Sequence, residues 1–146
     1  MFTESIAVRG NLSIVVLDEA QNIKDTRHIK NLVVAAGKSH ITARMTSNTT
    51  PVMSHMGIGS ANVAPTVSDV TLGAQTARVA LDSANVVNNT ITYVATYGAG
   101  VGTGPVTEAG VFNDVTAGTM LCRTRFDVVN KGASDIIVIT WNVTVE

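Results

Sequence analysis

The chain has 146 residues, the size of one domain, and only 14% of them are charged, against about 25% in an average soluble domain. Ten basic and eleven acidic side chains leave a net charge of −1. That balance excludes a protein that binds nucleic acid by neutralising many phosphates, and a hydrophobic content of 45% excludes a disordered chain. Because a weakly charged monomer tends to associate, we expect much of the surface to be covered by other protein copies. The alternative is a monomer coated with threonine, asparagine and serine.

Signals for export or membrane insertion are not evident in the sequence. The first residues show no basic segment followed by an apolar stretch, so we expect no signal peptide. No apolar run approaches the roughly 20 residues that span a bilayer, so no membrane partner is expected. The single cysteine, Cys122, cannot form an internal disulfide. These features predict a protein made in a reducing cytoplasm.

The N-terminal part of the chain is predicted to begin as a β-hairpin and to continue into one short helix. The predicted elements are strands at 12–17 and 23–34, and a helix at 35–46. The helix is favoured because Ile41 and Met45 lie four residues apart on one face. We therefore expect residues 1–34 to form an N-terminal hairpin or arm on a single domain that spans residues 1–146.

The rest of the chain is predicted to consist of strands and loops. Apolar residues alternate with polar ones most clearly in the last run, where every odd position from 137 to 145 is apolar. The predicted strands are 78–81, 90–97, 105–112, 119–126 and 136–145, and the predicted loops are 47–51, 61–68 and 98–104, with a short helical turn at 73–75. This pattern predicts an all-β fold with one short helix.

Residue patterns that support catalysis or metal binding are missing. His28, His40 and His55 are twelve and fifteen residues apart, whereas zinc ligands usually come in pairs two to four residues apart. Ser60 does not lie in a Gly-x-Ser-x-Gly motif. Cys122 lies on a predicted strand, where a small buried hydrophobic residue is the ordinary interpretation. We expect no catalytic residues, no metal, no cofactor and no enzyme activity.

A glycine-rich segment at 98–104 could suggest a phosphate-binding loop. Such a loop needs a following helix whose N-terminus faces the anion, but here Pro105 and a strand-like run follow, and no lysine is near in the sequence. We therefore predict an inter-strand loop. Its glycines permit positive φ angles and close contact with a neighbouring subunit.

Glu108 is a carboxylate among apolar neighbours on a predicted strand. Strand alternation places it on one face together with Val106 and Phe112. Arg123 or Arg125 on the partner arm of the predicted hairpin could neutralise it. We expect a structural ion pair here, since no second acid is placed to act with Glu108 in catalysis.

The basic residues of the N-terminal third and the glycine-rich loop are the candidate contacts with neighbouring proteins. Residues 1–50 contain six basic and four acidic side chains, and the remaining residues contain four and seven. This asymmetry could orient the subunit on an acidic surface, although so small a difference could also have no meaning. The candidate interface residues are Lys24, Arg27, His28, Lys30, Gly98, Gly100, Gly102 and Gly104.

Several blocks of the sequence resemble small structural proteins of tailed bacteriophages. These blocks are residues 24–34, 36–38, 53–60, 107–113, 118–123, 129–132 and 139–141. The run Glu-Ala-Gly-Val-Phe-Asn at 108–113 is similar to a hairpin that also occurs in tail-fibre and baseplate proteins. The resemblance implies a jelly-roll-like antiparallel β-sandwich that binds other virion subunits. It implies no active site.

Two virion roles follow from this resemblance. The first is a capsid decoration or cement protein, on the outside of the head, that binds the major capsid protein and copies of itself as a symmetric trimer or dimer. The second is a tail-associated baseplate or fibre-attachment protein. A third hypothesis, from a different class, is a carbohydrate-binding domain or small hydrolase. It would need exposed aromatic side chains, and we expect Tyr93, Tyr97 and Trp141 to lie in the core instead.

Overall fold

A computed structural model describes residues 3–47 and 49–146, and within them the chain forms nine strands and one helix. The predicted loop at 47–51 is described except for residue 48, which lies outside the described residues. The elements are β1 (Val8–Leu17), β2 (Ile23–Val33), α1 (Ala35–Thr46), β3 (His55–Gly59), β4 (Gln75–Ala80), β5 (Ser83–Val87), β6 (Thr90–Tyr97), β7 (Gly104–Phe112), β8 (Met120–Lys131) and β9 (Ile136–Val145).

All nine strands belong to one antiparallel sheet. Their order is β4-β3-β7-β8-β2-β1-β9-β6-β5. The N-terminal hairpin of β1 and β2 therefore lies in the middle of this order, between β8 and β9. Pairing of β1 with β9 extends over the full length of both strands, from Val8 opposite Val145 to Leu17 opposite Ile136. A segment expected to behave as an arm is thus a central part of the sheet.

The sheet curls so that its two ends approach one another. We call β4, β3, β7 and β8 the four-strand half, and β2, β1, β9, β6 and β5 the five-strand half. Among the described residues, β2 and β8 pair only at Leu32 and Val33, which makes the junction between the halves narrow. The Tyr97 hydroxyl on β6 donates a buried 2.7 Å hydrogen bond to the Met56 carbonyl on β3. Side chains from both halves consequently share one hydrophobic core.

The aromatic residues of the five-strand half are core residues. Tyr97 and Trp141 are fully buried, and Tyr93 is nearly so. Trp141 donates its indole N–H to the Asn31 side-chain oxygen at 2.8 Å, which satisfies the polar end of a large apolar side chain. Burial also raises the pKa of Tyr93 to about 12. These side chains are therefore unavailable as a platform for sugars.

Helix α1 packs against the four-strand half near the start of β8. Gly37 is buried, and a Cβ atom added there would overlap the carbonyl oxygen of Leu121. The helix can approach the backbone of β8 this closely because Gly37 has no side chain. His40, one turn later, is buried as well.

The expected all-β class with one short helix is confirmed, and the helix has the predicted bounds. Strands β3 and β5 were not predicted. Strand β3 contains two glycines, and β5 is a short Ser-Ala-Asn-Val-Val segment with little alternation. The predicted helical turn at 73–75 is wrong, since Gln75 begins β4. The nine strands form one continuous curled sheet, which does not by itself establish the jelly-roll-like sandwich.

Candidate interaction face

The outer surface of the five-strand half has an uncharged centre, and Arg9, Lys30 and Asp82 lie at its margins. Leu12, Ile14 and Val16 of β1 are buried, so the residues between them point to the opposite side of the sheet. The cross-strand register then aligns outward residues of β1, β9, β6 and β5 in rows. The rows are Asn11, Asn142, Thr92 and Asn85; Ser13, Thr140, Val94 and Ser83; and Val15, Val138 and Thr96. We call these residues the outer face.

Side chains on the outer face bond to one another across the strands. The Thr92 hydroxyl donates to the Asn142 side-chain oxygen at 2.7 Å. In the next row toward the chain termini, the hydroxyls of Thr90 and Thr144 lie 2.9 Å apart. Because these polar side chains are short, they lose little rotamer entropy when a partner binds. They carry no charge, so binding does not require a charged group to be desolvated. The arrangement suits a surface that packs against another protein.

The basic residues predicted as contacts on β2 divide between the two sides of the sheet. His28 lies opposite Ser13 and Lys30 lies opposite Asn11, so both border the outer face. Lys24 lies at an irregularity in the β1–β2 register, where strand alternation does not assign it a side. Arg27 lies opposite the buried Ile14 and points to the inner side. The structure therefore does not bring these four residues together on one surface.

The inward-pointing Arg27 bridges the gap between β2 and β8. Its guanidinium forms hydrogen bonds of 2.9–3.2 Å with the carboxylate of Asp25, and bonds of 3.2 and 3.3 Å with the carbonyls of Asp127 and Val128. The hydrogen bond with Asp25 raises the pKa of Arg27. This side chain holds together two strands whose backbones have separated.

The glycine-rich loop lies at one end of the sheet, against the turn that precedes β9. Gly100, Gly102 and Gly104 have φ angles of 78°, 66° and 121°, as predicted for residues that permit positive φ. The backbone N–H of Gly100 donates to the Ala133 carbonyl at 2.9 Å. At Gly102 an added Cβ would come within 2.6 Å of the Ile58 side chain. The loop therefore contacts its own subunit at these points.

A lysine does approach the glycine-rich loop, although the sequence places none near it. Lys131 lies opposite Gly104 in the β7–β8 register and donates to the Gly98 carbonyl at 2.8 Å. Its side chain is only 2% exposed, and burial lowers its pKa although Asp135 opposes this effect. The ammonium group is therefore inaccessible to a phosphate ligand.

One of the predicted basic residues, Lys24, reaches the same end of the sheet. Its ammonium group lies 2.8 Å from the carboxylate of Asp135, which also accepts the backbone N–H of Gly132 at 2.7 Å. The hydrogen bond from Lys24 lowers the pKa of Asp135, and the bond from Gly132 adds to this effect. Lys24 therefore has a role within the subunit.

Glu108 is fully buried and is the centre of a polar cluster on the four-strand half. Its carboxylate accepts the backbone N–H groups of Ala61, Gly73 and Ala74 at 2.7–2.9 Å and the guanidinium of Arg123 at 3.0 Å. Burial raises the pKa of Glu108, but these donors outweigh it and the net pKa is lowered. Glu108 is thus an ionised structural residue, and the expected ion pair with an arginine of β8 is confirmed for Arg123.

Arg123 extends this cluster to a further carboxylate. Its guanidinium lies 2.9 Å from Asp69 and donates to the Val63 carbonyl at 3.1 Å. Burial raises the pKa of Asp69, but hydrogen bonds from Thr66 and Arg123 outweigh it and lower the pKa. Arg123 and Glu108 together hold the segment 61–74 on the sheet.

The predicted neighbours of Glu108 on its strand face are partly wrong. Val106 packs in the core with Ala109 and Val111, whereas Thr107 donates to the Ala61 carbonyl at 2.7 Å, on the side where Glu108 lies. The register between β7 and β8 shifts between Val106 and Glu108. This bulge reverses the alternation, and no local signal in the sequence marked it.

The histidine and cysteine side chains were the remaining candidates for metal binding or nucleophilic chemistry. The Ser54 hydroxyl lies 2.8 Å from Nδ1 of His55, while burial and the charge of Arg44 lower the pKa of His40. Cys122 is buried, and burial raises the pKa of its thiol. Within residues 3–47 and 49–146 no three His, Cys, Asp or Glu side chains are grouped as metal ligands would be.

Comparisons with known proteins do not assign a family. No family model, no curated protein and no solved structure matches the chain. Among the described residues, no helix has the length and apolar character to cross a membrane.

Proposed function

We propose that this protein is a structural subunit of a tailed-bacteriophage virion, and that it acts as a capsid decoration or cement protein. The observation that carries the proposal is the uncharged outer face of the five-strand half. The resemblance of residues 24–34, 107–113 and 129–132 to phage structural proteins supports the virion as the setting. In this role the subunit binds the major capsid protein and stabilises the head.

A face of threonine, asparagine, serine and valine can lose its water without burying an unpaired charge, and its hydroxyl and amide groups can bond to a partner. Single contacts of this kind are weak. A capsid lattice presents them many times, so an oligomer that engages several copies at once binds much more tightly than one contact allows.

A second candidate function is a tail-associated baseplate or fibre-attachment protein. It is favoured by the hairpin of β7 and β8, whose sequence at 108–113 resembles hairpins of tail proteins. The turn of this hairpin exposes Val115, and the Arg78 guanidinium binds the turn by donating to the carbonyls of Asp114 and Ala117 at 3.2 and 2.9 Å. A preformed turn with an exposed apolar side chain is a suitable contact point.

The copy number of the protein in fractionated virions tests both functions. Heads and tails of the encoding phage are separated, and the protein is quantified in each fraction by mass spectrometry against the major capsid protein. We expect a near-stoichiometric amount on heads. A few copies on tails would favour the second candidate, and presence in the lysate but absence from virions would overturn the virion proposal.

Substitution on the outer face tests whether that face makes the contact. Thr140→Lys places a charge at the centre of the face and is expected to abolish binding of the purified protein to heads that lack it. Val67→Lys is the matched control, because Val67 is an exposed valine in a segment held on the four-strand half. Equal binding of both variants would show that the outer face is not the contact surface.

A further inference from the structure

The two edges of the sheet differ in how they are protected from pairing. Edge strand β4 carries Arg78, and its register with β3 is interrupted by an irregularity at Ile58 and Gly59. Charges and bulges of this kind are the usual devices that stop an edge from recruiting another strand. At the other edge, β5 pairs with β6 along its full length, from Ser83 opposite Val94 to Val87 opposite Thr90, with no shift in register.

Strand β5 has none of these protective features. Its sequence, Ser-Ala-Asn-Val-Val, contains no charged residue and no proline. All four residues from Ala84 to Val87 are exposed, and the exposed fractions of Val86 and Val87 reach 68% and 69%. No strand pairs with its outer side among the described residues. The backbone donors and acceptors on that side are therefore available to another chain.

An apolar strip on the inner side of the sheet also reaches this edge. Val86 lies opposite Ile91 of β6, and Ile91 packs against the hydrophobic core. Ile91 also lines an apolar pocket of about 270 Å³ together with Val52, Met53 and Val143. The apolar side chains on the inner side of the sheet therefore extend from the core to Val86, which is exposed at the edge. An exposed valine at the end of such a strip indicates a surface that another strand would cover.

We propose that β5 pairs with β5 of a second copy of this chain, antiparallel and about a two-fold axis at Asn85. Only this register pairs all five residues. It places Ser83 opposite the partner subunit's Val87 and Ala84 opposite the partner subunit's Val86. The apolar pairs lie on the inner side of the sheet, the two Asn85 side chains meet on the outer side, and no like charges face each other.

The pairing joins the two nine-stranded sheets edge to edge at β5, so that the five-strand halves of the two copies lie side by side. The outer faces of the two copies then lie side by side, and the Asp82 carboxylate, which accepts the Thr96 hydroxyl at 2.6 Å, lies just before each β5. Because five paired residues bury less than the roughly 1,200 Å² of a standard interface, the dimer is weak and forms at high protein concentration. Dimerisation of the protein alone in solution does not depend on the proposed function.

Sedimentation velocity over a concentration range tests the pairing. For the full chain we expect the mass to rise toward that of a dimer between about 1 and 300 µM, the range typical of small interfaces. Asn85→Lys places two ammonium groups at the two-fold axis and is expected to keep the protein monomeric throughout. Val67→Lys is the control, since Val67 is an exposed valine in the segment held on the four-strand half. It should dimerise like the unmodified chain.

A cross-link tests the register. The Cα atoms of directly opposite residues in antiparallel strands are about 4.5–5.5 Å apart, within the range that a disulfide spans. Asn85→Cys should therefore oxidise to a covalent dimer, while Val67→Cys should not, and the buried native Cys122 does not compete. Circular dichroism checks that each variant is folded. A monomer at every concentration, a dimer that survives Asn85→Lys, or no cross-link at residue 85 would each overturn the proposal.

Discussion

At the scale of single residues, the Glu108 cluster shows how a buried charge is tolerated in this protein. The Glu108 carboxylate accepts five hydrogen bonds, three from the backbone of the segment 61–74 and two from the guanidinium of Arg123. Removing water from a carboxylate costs free energy unless hydrogen-bond donors replace the water. Here the backbone donors belong to the segment 61–74, which would otherwise have to be held on the sheet by apolar contacts. Gly59 is part of the same arrangement, because a Cβ there would lie 2.6 Å from the Glu108 carboxylate.

Loss of the Glu108 charge is expected to destabilise the fold. In Glu108→Gln the buried Arg123 keeps its charge but loses its fully buried partner and retains only the partly exposed Asp69, and breaking a buried pair typically costs about 3 kcal/mol. Urea denaturation measures the free energy of unfolding. Glu146→Gln is the control, because Glu146 forms a pair with Arg9 at the surface, and such pairs contribute less than about 1 kcal/mol. A similar loss in both variants would contradict this account.

The lowered pKa values of Asp69, Glu108 and Asp135 predict a loss of stability in acid. An unfolded carboxyl group titrates near pH 4, so below that pH the unfolded chain binds protons that these groups in the folded protein still resist. Their contribution is present above about pH 4 and disappears as the pH falls through their folded values. Melting temperatures between pH 7 and pH 3 should fall toward acid, and less steeply in Glu108→Gln. A melting temperature that rises toward acid would refute the prediction.

At the scale of elements, α1 and the β2–β8 junction depend on local exceptions to regular geometry. Glycine lowers helix propensity by about 1 kcal/mol relative to alanine, yet Gly37 lies inside α1, where it lets the helix contact the Leu121 carbonyl. At the junction, Arg27 supplies side-chain hydrogen bonds where the backbone ladder has ended at Leu32. In both places, tertiary contact outweighs the local preference.

Substitution of Gly37 separates helix propensity from packing. Propensity alone predicts that Gly37→Ala is stabilising by about 1 kcal/mol. The overlap with the Leu121 carbonyl predicts instead a net loss of about 2 kcal/mol, because the helix must move away from β8. Thermal unfolding decides between the two. Ser39→Ala, at an exposed position of the same helix, should show a change near zero or a small gain.

At the scale of the whole molecule, the placement of the N-terminal hairpin determines which parts can be removed. Strand β1 pairs with β2 on one side and with β9 on the other, so it is not an edge element. It also contributes Leu12, Ile14 and Val16 to the core. Deletion of the hairpin removes the centre of the sheet. The proposed contact through the outer face is therefore tested with point substitutions.

Truncation tests this placement directly. A chain that begins at Ile23 lacks β1 and is expected to be unfolded, because β2 and β9 lose their shared neighbour and the core loses three large side chains. Circular dichroism and the dispersion of amide resonances measure the outcome. Deletion of residues 3–5, which are exposed and precede β1, should leave both spectra unchanged. A folded product of the longer truncation would show that the hairpin is a separable arm.

Much of the fold could be predicted because the signals were local. The alternation at 137–145, the helix at 35–46 and the core positions of Tyr97 and Trp141 follow from periodicity and residue type, and the structure agrees with them. The five-residue strand β5 could not be predicted, because so short a segment has no periodicity to detect and its stability comes from β6. Register shifts such as the one near Glu108 could not be predicted from the sequence either, since they depend on the length of the opposing strand.

The sequence by itself determined the class of the fold, the scarcity of charge and the absence of a motif for catalysis, because these are properties of composition and of neighbours along the chain. Only the tertiary structure decided that Arg27 and His28 face opposite sides of the sheet, which arginine pairs with Glu108, and that Lys131 meets the glycine-rich loop. It also gathered threonine and asparagine residues from four strands into one uncharged face. Strand order and register bring together residues that lie 50 or more positions apart, and no local pattern encodes either of them.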